Sequence, residues 1–291
     1  MKPPRFGYHD PHTIDEAVGL LARLDNARLL AGGQSMLPML NMRFVQPDHL
    51  IDLGRVGALA QIAAHPDGFS IGAMTRQRDL EYSAALRARV PLLAEAIQWV
   101  GHRQTRNRGT LGGSLCQLDP AAELPAVCAA LDAQIVVRGP HGERVVAFAE
   151  FPAGYMTPAI GPDELVTAVD LSCWPDGHGW GFVEFARRHG DYAIALAGAL
   201  LSVDARGRIA RAALVVGGIG PAPVRVSAAE QALLGEVPSA ALFEAVAEQC
   251  RALEAMSDVH VPASYRQQLA VVMAKRALAA AHARSAVQEA A

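Results

Sequence analysis

Cysteine is scarce in this 291-residue chain, and the four present, Cys116, Cys128, Cys173 and Cys250, stand far apart. No two make a C-x-x-C pair, so the chain by itself offers no zinc or iron–sulfur site, and all four read as reduced thiols. No apolar run reaches the ~18–20 residues that a membrane-spanning helix needs. The N-terminal stretch MKPPRFGYHDP lacks the apolar centre of a secretory signal, so a cytoplasmic protein is expected. Excess charge is missing too. With 26 basic and 29 acidic residues the net charge is −3, which gives no electrostatic reason to expect nucleic acid or an anionic membrane. Three glycine signatures are absent as well. There is no G-x-x-x-x-G-K-[ST], and GGIGPAP from Gly217 puts Pro223 where a dinucleotide fingerprint needs its third glycine. Neither Gly33-Gln34-Ser35 nor Gly112-Gly113-Ser114 completes a G-x-S-x-G elbow, so a serine hydrolase is poorly supported.

What is present is 51% hydrophobic and 19% charged, the composition of a globular protein long enough for more than one core. Thr13 and Glu16 form a capping-box pattern, and Ala17, Leu20, Leu21 and Leu24 recur on one helical face. A strand near 28–31, a glycine loop and a strand near 49–53 complete a small β-α-β unit. QIAA and FSIGA flank the turn HPDG, and a helical stretch then runs on both sides of Pro91. After the basic loop GHRQTRNRGTLGGS, a helix is expected over 120–131, paired strands across PHG, and a strand over 164–171. Pro175, Gly177 and Gly179 mark a boundary, beyond which a hairpin across ARGR precedes helices near 227–234, 239–253 and 263–283. The fold class is α+β. The expected units are lobe 1 over 1–56, lobe 2 over 57–176, a C-terminal domain over 177–285 and a flexible tail over 286–291.

Gly32-Gly33-Gln34-Ser35 follows the first short apolar strand. Two glycines let successive N–H groups converge on one point, and such a nest can hold a phosphate oxygen; a plain tight turn would look the same. A second pair arrives about eighty residues later in GTLGGSL, where Thr110, Gly112, Gly113 and Ser114 are expected around a bend. Two such loops from two lobes can clamp a pyrophosphate. Arg103, Arg106 and Arg108 precede the second loop, where they can face a phosphate, a partner or solvent. Glu123 starts a helix, a favourable place for a carboxylate. Tyr192 stands at the turn into a buried strand.

The ordered set LLAGGQSMLPMLNMRFVQPDHLIDL, IGAMTRQRDLE, RNRGTLGGSLCQLDPAAELPAV, GYMTPAIGPDELVTAV and FARRHGDYAIALAGA resembles the FAD-binding medium subunit of the molybdenum hydroxylases, nearly end to end. That resemblance implies a two-lobed FAD domain followed by three antiparallel strands and a helical bundle. It implies non-covalent FAD held by Ala31, Gly32, Gly33, Gln34, Ser35 and Met36 on one side, and by Val100, Gly101, Gly109, Thr110, Gly113 and Ser114 on the other. It puts Glu123 at the ribityl chain, Val166 near the flavin and Tyr192 beside the isoalloxazine ring. The chain departs from the pattern in having Glu123 where most members have Asp and Glu184 where many have Lys. The implied partners are a large molybdopterin subunit and a small subunit with two [2Fe–2S] clusters, in a dimer of heterotrimers. This chain would then pass electrons from iron–sulfur to an external acceptor. Members that reduce benzoyl-type thioesters carry a cysteine-bearing insertion with no counterpart here. Two other classes are a stand-alone FAD-dependent reductase or oxidase, for which no catalytic acid is evident, and a non-catalytic assembly subunit, which would not need intact glycine loops.

Overall fold

The computed structural model describes residues 1–288. Along the first part of the chain come β1 (Gly7–His9), α1 (Ile14–Arg23), β2 (Ala27–Leu30), α2 (Met36–Met42) and β3 (His49–Asp52). The three strands pair in parallel in the order β1-β3-β2. The capping box at Thr13 forms in both directions, and α1 buries Ala17, Val18, Leu20 and Leu21 against Ile51 and Leu53. This small sheet ends at the Gly32–Ser35 turn.

Next come β4 (Ile62–His65), β5 (Gly68–Gly72), six short helices, and then β6 (Gln134–Gly139) and β7 (Gly142–Ala147). A small ribbon of β8 (Pro152–Gly154) and β9 (Thr157–Pro158) precedes β10 (Leu165–Ser172). The large strands form an antiparallel sheet in the order β4-β5-β10-β6-β7. The helices are α3 (Gln77–Tyr82), α4 (Ala84–Arg89), α5 (Pro91–Ala96), α6 (Arg103–Arg106), α7 (Leu111–Gln117) and α8 (Glu123–Ala130). The stretch around Pro91 is therefore three helices. Ser83 ends α3 and caps α4 with its hydroxyl, and Pro91 takes the first turn of α5, where its missing N–H costs nothing. The second glycine pair also differs from expectation. Gly112 and Gly113 lie inside the first turn of α7, because the Thr110 hydroxyl caps that turn through the N–H of Gly113.

The last part begins with β11 (Gly179–Phe185), β12 (Ala195–Val203), β13 (Ile209–Gly217) and β14 (Val224–Arg225), antiparallel in that order, with β14 as a fourth, two-residue edge. Then follow α9 (Ser227–Leu233), α10 (Ala240–Ala247) and α11 (Ala263–Gln288). The helix expected over 239–253 changes after Ala247 into a 3-10 turn, Glu248–Ala252. Of the tail expected over 286–291, residues 289–291 lie outside the described residues. Alternation along β12 gives its sheet two buried faces. Ala195, Ala197, Ala199 and Leu201 pack toward α11, while Leu196 and Leu200 join the core of the preceding sheet and its helices. On the α11 side a Cβ at Gly179 or Gly181 would overlap the backbone carbonyls of Ala281 or Ala277, so the helix lies directly on the sheet.

Candidate functional site

A cavity of about 490 Å³ opens where the parallel sheet, α7, α8 and the turn before β12 meet. All fifteen positions singled out in the sequence line it, from Ala31–Met36 through Val100, Gly101, Gly109, Thr110, Gly113 and Ser114 to Glu123, Val166 and Tyr192. The two glycine segments touch: a Cβ on Gly32 would overlap the carbonyl oxygen of Arg108. Only glycine permits that approach.

The first segment is an open nest. Gly33 has φ +73° and Ser35 lies in the right-handed region, so consecutive N–H groups turn to one side. No acceptor among the described residues takes the N–H of Gly32, Gly33, Gln34 or Ser35. The Gln34 amide braces the turn by donating to the Gly32 carbonyl at 3.2 Å, and the Ser35 hydroxyl caps nothing. A run of unpaired donors beside a cavity is costly without a ligand to accept from them. A phosphate oxygen is such an acceptor, so the segment fits the pyrophosphate that the resemblance implies.

The second segment is built differently. The N–H groups of Leu111 and Gly112 go to the Thr75 and Ala73 carbonyls, that of Gly113 to the Thr110 hydroxyl, and that of Gly109 to the Thr105 carbonyl. What remains for the cavity is the Thr110 N–H and the Ser114 hydroxyl. A Cβ on Gly112 would meet the Ala73 Cβ at 2.5 Å, so Gly112 is needed for packing against the strand end, while one on Gly113 would meet the Thr110 hydroxyl oxygen at 2.7 Å. Of the three arginines before it, Arg106 is committed to Glu81 at 2.8 Å and to the Val100 carbonyl at 3.0 Å, which fixes the loop carrying Val100 and Gly101.

Glu123 occupies the first position of α8 with 4% of its surface exposed. Burial, with repulsion from Asp119 adding to it, pushes its carboxyl up to about 7. Asp119, in the same wall, is raised by burial as well. Val166 reaches the cavity at a β-bulge between Val166 and Ala168, where the break in register re-aims the side chain. Tyr192 closes the remaining side from the turn before β12 and stays 56% exposed, so one flank of the cavity faces outward.

Sequence reasoning missed several wall residues. Gln77 is 5% exposed, and its Oε1 is buried without a partner beside Gly109. Ile160, Gly161 and Glu164 come from the loop before β10, braced by Arg144 on Glu164 at 2.6 Å. The stretches GYMTPAIGPDELVTAV and IGAMTRQRDLE held these residues, but nothing in them singled these out as wall positions. Among the described residues no group of three or more His, Cys, Asp or Glu stands close enough to hold a metal ion.

Residues 4–172 match a family model described as the FAD binding domain in molybdopterin dehydrogenase, and residues 180–281 match the CO dehydrogenase flavoprotein C-terminal domain. The chain is 40% identical to the 6-hydroxypseudooxynicotine dehydrogenase complex subunit alpha of Paenarthrobacter nicotinovorans, over 97% of this chain and 96% of that one. It is 36% identical to the carbon monoxide dehydrogenase medium chain of Hydrogenophaga pseudoflava, over 98% and 100%. A solved structure of carbon monoxide dehydrogenase from that organism, lacking the Mo-pyranopterin moiety of the molybdenum cofactor, superposes with a TM-score of 0.94 at 38% identity, covering 98% of this chain and 99% of that one.

Proposed function

Because the chain belongs to the FAD-binding medium subunits of the molybdenum hydroxylases, we propose that it carries electrons within a heteromeric oxidoreductase, from the [2Fe–2S] clusters of a small partner to an external acceptor. The FAD is its own cofactor; molybdopterin and iron–sulfur belong to partner subunits. In this reading the assembly contains a large molybdopterin subunit and a small iron–sulfur subunit, as a dimer of heterotrimers in the cytoplasm. The three units 1–56, 57–176 and 177–285 are the two lobes and the C-terminal domain.

The observation that carries the proposal is the row of N–H groups at Gly32–Ser35 with no acceptor among the described residues, across one cavity from Thr110 and Ser114 and continuous with the exposed flank at Tyr192. When bound, the flavin supplies chemistry that side chains lack, accepting electrons singly and releasing them in pairs. The chain's residues do the rest. The Gly32–Ser35 nest would hold phosphate oxygens without a charged side chain. Thr110 and Ser114 would complete the pyrophosphate site, Glu123 would serve the ribityl chain, and Val166 would exclude water from the ring end. Tyr192 would cover the ring on the side where an acceptor approaches.

The test is native purification. The chain should co-purify with one larger and one smaller partner and show flavin absorbance. Acid precipitation should leave yellow supernatant over a colourless pellet, as expected of a non-covalent cofactor. Robust turnover of an organic substrate by the pure chain would instead favour a stand-alone reductase or oxidase. A colourless chain that takes up no added FAD would favour an assembly role.

A further inference from the structure

A second cavity, of about 700 Å³, lies where the two family matches join. Residues 173–178, which connect the end of β10 to the start of β11, run through its wall. The first domain adds the β4–β5 turn and the end of α4, and the second adds Trp180 on β11 and Arg211 on β13. From Val166, in the first cavity, to Ser172, beside Cys173, β10 spans on the order of 20 Å. The two cavities therefore stand at opposite ends of that strand.

Its wall holds charge and hydrogen-bonding capacity that folding leaves unused. The Arg211 guanidinium lies over the Trp174 ring, 4.1 Å from its centre, and has no carboxylate or carbonyl partner among the described residues. Stacking on an indole immobilises a guanidinium and leaves its N–H donors free. Among the described residues Arg87 and Arg89 donate only to main-chain carbonyls, Arg87 to Glu81 at 3.2 Å and Arg89 to His65 at 2.9 Å and to Pro66. Asp67 and Asp176 also line the cavity, both exposed. Three arginines against two aspartates leave one positive charge, in a chain whose net charge is −3. His178, 8% exposed, adds an acceptor. Its Nδ1–H donates to the Pro175 carbonyl at 2.8 Å, so the neutral ring carries its lone pair on Nε2. Burial lowers its pKa from the ordinary value, although the Pro175 bond and Asp176 oppose this, so the ring is neutral at pH 7. Nε2 has no partner among the described residues and is not sealed from solvent, so it opens to the cavity that the ring lines. In the same wall the Trp174 Nε1–H is buried with no acceptor among the described residues.

We infer that this cavity binds a small aromatic monocarboxylate bearing a ring N–H or hydroxyl, with the carboxylate on Arg211 and the donor on His178 Nε2. The guanidinium fork matches a carboxylate through two hydrogen bonds. One unit of excess charge suits a monoanion better than a phosphate monoester, which carries about −1.5 to −2. Trp180, Pro66 and Pro91 offer flat apolar surface for the ring. Cavities of roughly 300–1,000 Å³ with apolar walls and a few convergent polar groups are the usual hosts of such molecules. A ligand touching α4 on one side and β11 and β13 on the other would clasp the two domains together. None of this depends on FAD.

The experiment titrates indole-3-carboxylate into the full chain by calorimetry, in the presence of excess FAD. Saturable binding with a Kd on the order of 0.1–1 mM is expected. Indole-3-carboxamide, which lacks the charge, should bind about tenfold more weakly or worse. Benzofuran-3-carboxylate, which has an oxygen in place of the N–H, should lose about threefold or more. Arg211→Gln, at an exposed position, should raise the Kd about tenfold or more with little change in melting. His178→Phe should erase the difference between the indole and benzofuran acids. If that variant does not fold, Arg211→Gln and the carboxamide still decide the matter. No saturable binding, or one Kd shared by wild type and Arg211→Gln, would overturn the site. Binding that excess FAD abolishes would place the probe in the first cavity and overturn it equally. Binding to the isolated chain but not to the co-purified complex would give the cavity to a carboxylate of a partner, and so overturn the small-molecule assignment.

Discussion

The segments Gly32-Gly33-Gln34-Ser35 and Thr110-Leu111-Gly112-Gly113-Ser114 are alike in composition and meet across one cavity, yet their backbones are employed in opposite ways. In the first, four successive N–H groups have no acceptor among the described residues. In the second, the Leu111, Gly112 and Gly113 donors are consumed by Thr75, Ala73 and the Thr110 hydroxyl. The difference comes from what stands behind each. The first segment leaves a strand and enters α2 with Gly33 left-handed, so its donors turn away from the sheet. The second is pressed against the end of β5 and its connection to α3, which offer carbonyls at the right spacing. Glycine thus supplies donors at one loop and room for close packing at the other.

This contrast can be broken most sharply at Gly33. Gly33→Ala forces a side chain into the left-handed region at about 1–2 kcal/mol, and relaxing it would turn donors away from the phosphates at about 1.5–3 kcal/mol each. The expected outcome is a FAD Kd raised ~100-fold or more, read by fluorescence titration, with only a small change in melting. Thr110→Val should show the reverse balance. Losing the α7 cap costs about 1 kcal/mol, a fall of roughly 2–4 °C in melting temperature, while FAD affinity should weaken by less than about tenfold. Equal losses of affinity in these two variants would erase the distinction. Ser114→Ala removes one neutral hydrogen bond, so a Kd increase of about threefold to tenfold is expected at unchanged melting. Tyr192→Ala is the mildest for binding, within about twofold, because the phosphate loops are untouched. It should alter flavin reoxidation in the assembled enzyme more than reduction from the iron–sulfur side, measured by stopped-flow absorbance on each half-reaction.

The same contrast explains what could be read from the sequence. Hairpins across HPDG, PHG and ARGR are local events, and their strands form where alternation and turn residues place them. The two glycine segments were legible because small residues and hydroxyls cluster in two short runs, whereas Val100, Gly101 and Val166 came only from the family resemblance. The use of each backbone was not, since the carbonyls of Ala73 and Thr75 are distant in sequence from Gly112. β1 was hidden for a similar reason: three residues pair only because β3 arrives beside them some forty positions later. The break at Ser83 was within reach, as a serine preceding Ala84-Ala85-Leu86 is an N-cap signal. Gln77 and the Ile160–Glu164 loop enter the wall through tertiary packing, and no periodicity announces that.

The two buried faces of the β11–β14 sheet also set an order of events in biosynthesis. Residues 1–172 can assemble both glycine segments while the ribosome is still adding the rest. Leu196 and Leu200 must then dock on that core while α11, which follows them in the chain, covers the opposite face. Tyr192 reaches the cavity only at this final step. The nascent chain therefore presents its two glycine segments with one side open, and that side closes when α11 packs on the β11–β14 sheet.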